Sequence, residues 1–395
     1  MRTYNLIGLS ALHLVAVVLF AAIAPCVLMT APVVAPQYAA ELGIGPARIG
    51  QLFSVELAAM SLATLPSYYW LSRWSWRRVA FAASGVFVLA NLLSAYSLEF
   101  HALLWLRALS ALAGGTLMVI CIASASASTQ QDRVYGLWVS GQLVLGSLGL
   151  WILPSLFAVA GLKALYLSLA LLITLCIPLA GCFPVGAVSR VSRNESPVSA
   201  AGSALPCVFG VLAVLLFYCG LSAVWTFIGS IATAANIDAL SSGQILSIAT
   251  VLGILGALCA TLLGSRWSRR IPLLGGYAMM AVAVLLLMGS PDIGRFAVAA
   301  LLFKYAWTFV LPFILATLAS FDQHGRLMST VNLVIGGGLA LGPMLAGPVL
   351  ERPDGMQLVL LGSACCLLLS CLALVLSNLF HKPSVYSLES TGVRS

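Results

Sequence analysis

The sequence predicts an all-α, polytopic membrane protein whose twelve transmembrane helices form two six-helix repeats. Three observations predict it. Of 395 residues, 61% are hydrophobic and only 8% are charged, against roughly 25% charged in an ordinary soluble domain, and so few charges cannot cover an aqueous surface. The apolar residues fall into continuous runs near the ~20 residues that a helix needs to cross a ~30 Å hydrocarbon core, not into the ~10-residue alternating segments of a membrane β-barrel. Finally, the chain repeats itself at a constant shift of 193 residues: Arg73-Trp74-Ser75 returns as Arg266-Trp267-Ser268, Gly50-Gln51 as Gly243-Gln244, Ser54 as Ser247, Ile44 as Ile237, Arg133 as Arg326 and Gly149 as Gly342. One shift at so many separate places marks a duplicated unit.

The first run, from about residue 7 to residue 34, is too long for a cleaved signal sequence and reads as helix 1. The stretch from Pro36 to Pro46 reads as a polar, turn-rich loop. Helix 2 is expected from about 47 to 71, helix 3 from 79 to 97, helix 4 from 102 to 127, helix 5 from the Thr129–Arg133 break to about 157, and helix 6 to about 183. Residues 1–183 thus form the first bundle, and the Ser-, Gly- and charge-bearing stretch 184–206 is a linker. A second bundle, 207–381, repeats the plan with helices at about 207–234, 240–266, 272–290, 295–321, 327–350 and 357–379, before a polar tail, 382–395.

The basic residues orient the helices. Arg2, Arg73, Arg77, Arg78, Arg133, Arg190, Arg193, Arg266, Arg269, Arg270, Arg326, Lys382 and Arg394 fall on one side, and only Arg48, Lys163, Arg295 and Arg352 on the other. The positive-inside rule therefore puts both termini and the linker in the cytoplasm, of a bacterial inner membrane by this reading. Since the net charge of +8 comes from residues at span ends, it does not point to nucleic acid. The ten cysteines lie mostly inside apolar runs and show no metal-ligand spacing, so they read as small buried side chains. No metal or cofactor is expected.

Two six-helix halves, a cytoplasmic linker and a basic loop between helices 2 and 3 resemble the major facilitator superfamily over essentially the whole chain. Leu71, Arg77 and Arg78 match the family's loop 2–3 pattern, with Tyr69, Arg73 and Trp76 standing where it has Gly, Asp and Gly. Arg107 followed by Gly114-Gly115 is similar to its helix 4 pattern, and Gly342-Pro343 and Gly347-Pro348 in helix 11 are similar to a Gly-Pro motif that the family carries in helix 5. The resemblance implies transport by alternating access, the halves rocking about a site near the midplane, with helices 4 and 10 on the central cavity. It also implies gating by the loops that carry Arg73, Arg77, Arg78, Arg266, Arg269 and Arg270.

Three ionisable residues fall inside spans: Glu56, Arg107 and Lys304. A charge there costs at least a few kcal/mol, so each is a functional candidate. Counted from Arg48, Glu99 and Arg295, each lies about 12 to 14 Å below the outer surface at ~1.5 Å per residue, so the three are expected to share one layer. Glu56 and Arg107 read either as a clamp between helices 2 and 4 or as a proton-coupling pair, in which the cation sets the protonation of the acid. Lys304 reads as a contact for an anionic group of the substrate, or as a snorkelling or cross-domain partner of Glu56. Tyr305, Trp307, Trp105, Tyr218 and Trp225 are candidates to line the cavity with aromatic faces. His13, Gln51, Gln142 and Asn332 are polar residues in or near spans, and Pro154 and Pro312 are expected kinks that free backbone carbonyls.

No ATP-binding motif of the Gly-x-x-x-x-Gly-Lys-Ser/Thr type is present, so a gradient must supply the energy. The sequence therefore points to a secondary active transporter of a small organic solute, coupled to protons through Glu56, acting as a monomer, with export favoured. An uptake symporter for organic anions or aromatic acids is the alternative, and a non-transporting membrane receptor a distant one. The four scattered histidines, 13, 101, 324 and 381, argue against an enzyme.

Overall fold

The computed structural model describes residues 10–97, 99–185, 205–263, 270–319 and 326–380. Its elements are all helices, in twelve successive spans: α1 Ala11–Leu42, α2 Pro46–Trp70, α3 Trp76–Tyr96, α4 Phe100–Ser126, α5 Gln131–Ala160, α6 Leu162–Cys182, α7 Leu205–Ala234, α8 Ala239–Leu263, α9 Arg270–Leu286, α10 Ile293–Ala319, α11 Arg326–Leu350 and α12 Gly355–Phe380. Eleven of these are long and apolar enough to cross a membrane, α9 being the shorter one. Leucines and valines remain exposed along their outer faces, among them Leu171, Leu258, Leu345 and Leu368, as lipid-facing surfaces require. The expected start of helix 1, the body of the linker, the loop with Arg266 and Arg269, and the tail lie outside the described residues.

The largest departure from expectation is the Pro36–Pro46 stretch. It is not a loop: α1 continues through Pro32 and Pro36 to Leu42, and only residues 43–45 turn the chain, with Gly43 in the left-handed conformation at φ 61°. A proline removes one intrahelical N–H, but a helix in lipid persists if the freed carbonyl finds another partner. Helix α1 is instead interrupted earlier, at Ala24-Pro25, between segments Ala11–Ile23 and Cys26–Leu42. At the other ends the shifts are small. Helix α9 stops at Leu286 instead of 290, before Gly289 and Ser290 with φ of 64° and 46°.

The 193-residue shift reappears as geometry. A Cβ on Gly50 of α2 would run into the carbonyl of Pro343 on α11, and a Cβ on Gly243 of α8 would run into the carbonyl of Leu150 on α5. Gly50 and Gly243 are repeat mates, and so are Leu150 and Pro343. The halves thus meet through two equivalent crossings in which glycine lets backbones touch. Ser147 adds a hydrogen bond across the second crossing, its Oγ 2.8 Å from that of Ser247. Across the first, Gly347 lies against Pro46 and Ala47, and Glu351 accepts the Ala47 N–H at 3.3 Å. These contacts between halves lie toward the ends of the spans remote from the chain termini.

Candidate functional site

The two buried cations sit in different surroundings. In the first half, Arg107 of α4 is 1% exposed and donates through Nη2 to Oε1 of Glu56 on α2 at 2.6 Å. Nη1 donates to Oδ1 of Asn91 on α3 at 2.8 Å, and the Asn91 amide donates in turn to the Ser110 hydroxyl and the Phe87 carbonyl. The guanidinium lies 5.0 Å from the ring centre of Tyr166 on α6, whose hydroxyl is 2.8 Å from that of Tyr38 on α1. Five helices therefore converge on this one charge pair. Only Nε of Arg107 is without a partner. A cavity barely large enough for one water opens beside the pair, bordered by Ala24, Pro25, Leu28, Glu56 and Arg107.

In the second half, Lys304 of α10 is also 1% exposed, yet among the described residues no carboxylate lies within ion-pair distance of it. Its Nζ sits 4.0 Å from the ring centres of both Trp225 on α7 and Trp307 on α10. Phe303 stacks on Trp225 at 6.5 Å with planes 1° apart, and Trp307 meets it edge-on at 5.8 Å. Two indole faces thus take the place of a counter-ion, a contact worth about 2 kcal/mol or more once desolvated.

The prolines of α1 connect the two sites. Pro25, Pro32 and Pro36 cannot donate to the carbonyls four residues before them, which are those of Ala21, Leu28 and Pro32. Each of these carbonyls is met by a neighbouring helix. The Gln142 amide on α5 donates to Ala21 at 2.9 Å, the Trp225 indole N–H donates to Leu28 at 2.8 Å, and Gly229 of α7 lies against the carbonyl of Pro32. This uptake is why the helix runs on where a loop was expected. It also means that the ring above Lys304 is bonded to a residue lining the Glu56–Arg107 cavity.

Of the expected aromatic lining, Trp225 and Trp307 meet at Lys304, and the others do not. Trp105 is 74% exposed: it lies two residues from inward-facing Arg107, which on a helix is about 200° around the axis. Tyr305, next in sequence to Lys304, stacks on Phe309 at 5.8 Å, and Tyr218 packs against Gly338 of α11. Glu56 pairs within its own half, not with Lys304. Asn91, Ser110, Tyr166 and Tyr38 were not singled out from the sequence, although a buried guanidinium with five N–H donors calls for more acceptors than one carboxylate.

In the basic loop between α2 and α3, Arg77 donates from Nε to the Phe183 carbonyl at 3.2 Å and from its backbone to Pro184 at 3.1 Å, which ties the loop to the end of α6 in the same half. Arg73 rests 4.1 Å from the Tyr69 ring centre, and Arg78 and Arg270 are exposed. His13 is buried edge-on against Phe183 with Nε2 unpartnered, and Gln51 and Asn332 are exposed.

Comparison with known proteins agrees with this architecture. The nucleoside transporter NupG superposes with a TM-score of 0.69 at 14% identity, covering 95% of this chain and 100% of its own. A bacterial homologue of the human lysosomal transporter Spinster, captured inward-facing and unoccupied, gives 0.65 at 14%, covering 93% of this chain and 95% of its own. No curated protein matches in sequence. The family model of the Major Facilitator Superfamily matches residues 15–343, and with a duplicated six-helix unit, glycine-mediated crossings and a twelve-span fold in agreement, the chain belongs to the Major Facilitator Superfamily of membrane transporters.

Proposed function

We propose that this chain moves a small organic anion by alternating access, with Lys304 as the residue that meets the anionic group. The observation that carries the proposal is a lysine buried to 1% exposure that, among the described residues, is held by two indole faces and no carboxylate. A desolvated ammonium without a carboxylate is poised to accept an anion. The flanking indoles favour an aromatic or otherwise flat solute. Proton coupling is assigned to Glu56, because the acid is buried beside a cation and a cavity of water size, where uptake of a proton would release Arg107 from its strongest bond. If the termini are cytoplasmic, as the basic residues argue, the crossings at the far ends of the spans bring the halves together on the outer side, which supports reading this state as closed outward.

The test is flux in vesicles carrying an imposed pH gradient, with benzoate, an aliphatic carboxylate, benzamide and uridine as labelled solutes. Carboxylate flux is expected in the wild type, and Lys304→Met should reduce it by a factor of 100 or more, roughly the worth of a charge-assisted contact of ~3 kcal/mol. Uridine, a probe chosen because NupG is a nucleoside transporter, is expected to move poorly. Equal loss of benzoate and benzamide flux in Lys304→Met would sink the anion assignment. Glu56→Gln is expected to retain downhill flux and to lose uphill accumulation, and accumulation as in the wild type would remove Glu56 from coupling.

A further inference from the structure

The indole that covers Lys304 is the same indole that bonds across to the other half. We infer that Trp225 is the positioning residue that couples occupancy of Lys304 to separation of the halves, an inference that rests on the anion reading above. Lys304 Nζ is sealed in this state, 4.0 Å from the centres of two rings, and Trp225 is fully buried. An anion that approaches Nζ from the side the rings cover displaces one of them. Trp307 shares the helix of Lys304, so shifting it leaves the contact between halves untouched. Trp225 stands on α7, stacked on Phe303 and bonded to the Leu28 carbonyl of α1. Displacing its ring breaks the bond by which, among the described residues, this cage holds the opposite half.

The sequence builds the bond in two steps. Pro32 lacks the N–H that would otherwise occupy the Leu28 carbonyl, so that acceptor has no intrahelical competitor. Four residues on, Gly229 lets α7 approach the carbonyl of Pro32, itself freed by Pro36. Trp225 and Gly229 are the repeat mates of Pro32 and Pro36: where one half offers carbonyls, the other offers a donor and a flat surface. The crossing is therefore a directional joint, and an anion arriving at Lys304 acts on its donor side.

The experiment places nitroxide labels on p-acetylphenylalanine at Ala40 and Thr233, exposed positions near the remote ends of α1 and α7, and measures their distance distribution in the full chain with and without saturating benzoate or benzamide. Benzoate, not benzamide, is expected to populate a longer distance in the wild type. Trp225→Phe keeps a ring over Nζ and deletes the donor. Pro32→Ala keeps every side chain of the cage and gives residue 32 an N–H that reclaims the Leu28 carbonyl. Both are expected to raise the longer-distance population about fivefold without ligand, the worth of one net hydrogen bond, to slow transport and to shrink the benzoate-induced shift, with the KM for benzoate kept near the wild type in Pro32→Ala, which leaves the cage around Lys304 intact. A benzoate shift of wild-type size in either variant overturns the coupling role. If Trp225→Phe does not fold, Pro32→Ala decides alone. A wild type that benzoate does not move overturns the anion reading instead, and a wild type that benzamide moves equally does the same.

Discussion

Arg107 and Lys304 are equally buried, and the protein solves the same electrostatic problem twice in opposite ways. Around Arg107 the first half assembles a carboxylate, an amide and an aromatic face drawn from three other helices, and a hydroxyl from its own next turn. Among the described residues, Lys304 receives only aromatic faces. The repeat mates of Glu56, Arg107 and Lys304 are Ala249, Ala300 and Ala111, so neither arrangement descends from the duplicated pattern, and the halves differ at these positions where they share architecture. A saturated network resists change. A cation held by polarisable faces alone keeps its strongest bonding capacity in reserve, as a site that must bind and release requires.

This contrast predicts a hierarchy of stability effects, each readable as thermal unfolding of the purified protein in detergent. The largest belongs to Arg107→Ala, which leaves Glu56 buried without its partner and should cost about 3–5 kcal/mol. Asn91→Ala removes the bridge from Arg107 to Ser110 and α3 and should cost about 1–3 kcal/mol. Lys304→Met replaces a cation by a hydrocarbon of similar reach and should change stability by less than about 1.5 kcal/mol in either direction, although it is the variant expected to abolish anion flux. If Lys304→Met proved as destabilising as Arg107→Ala, the two cations would be structural alike and the division between them would fail. Gln142→Leu, which strips a bond to a proline-freed carbonyl within one half, should cost the least, ~0.6 kcal/mol. A loss as large as that of Asn91→Ala would mean that the freed carbonyls of α1 hold the fold itself.

Much of this is legible in the sequence. The repeat gave the glycine pairs that turned out to be equivalent crossings, because only a residue without a Cβ lets two backbones touch, and such positions cannot drift freely. Arg107 with Glu56 was legible because two opposite charges at one depth on helices that run the same way have few alternatives. Trp105 misled because aromatic character carries no direction, whereas its helical phase relative to Arg107 does. The prolines of α1 misled in the opposite sense: they suggest a loop in any chain that must satisfy its backbone locally.

What the sequence by itself determined was the set of spans and their duplication, since the spans follow from the cost of exposing polar groups to hydrocarbon, which is met residue by residue along one helix. Only the tertiary structure decided which helix takes each carbonyl that the prolines free, and that Lys304 meets two indoles instead of Glu56. Those choices depend on which faces of distant helices come together, and neither periodicity nor composition carries that information.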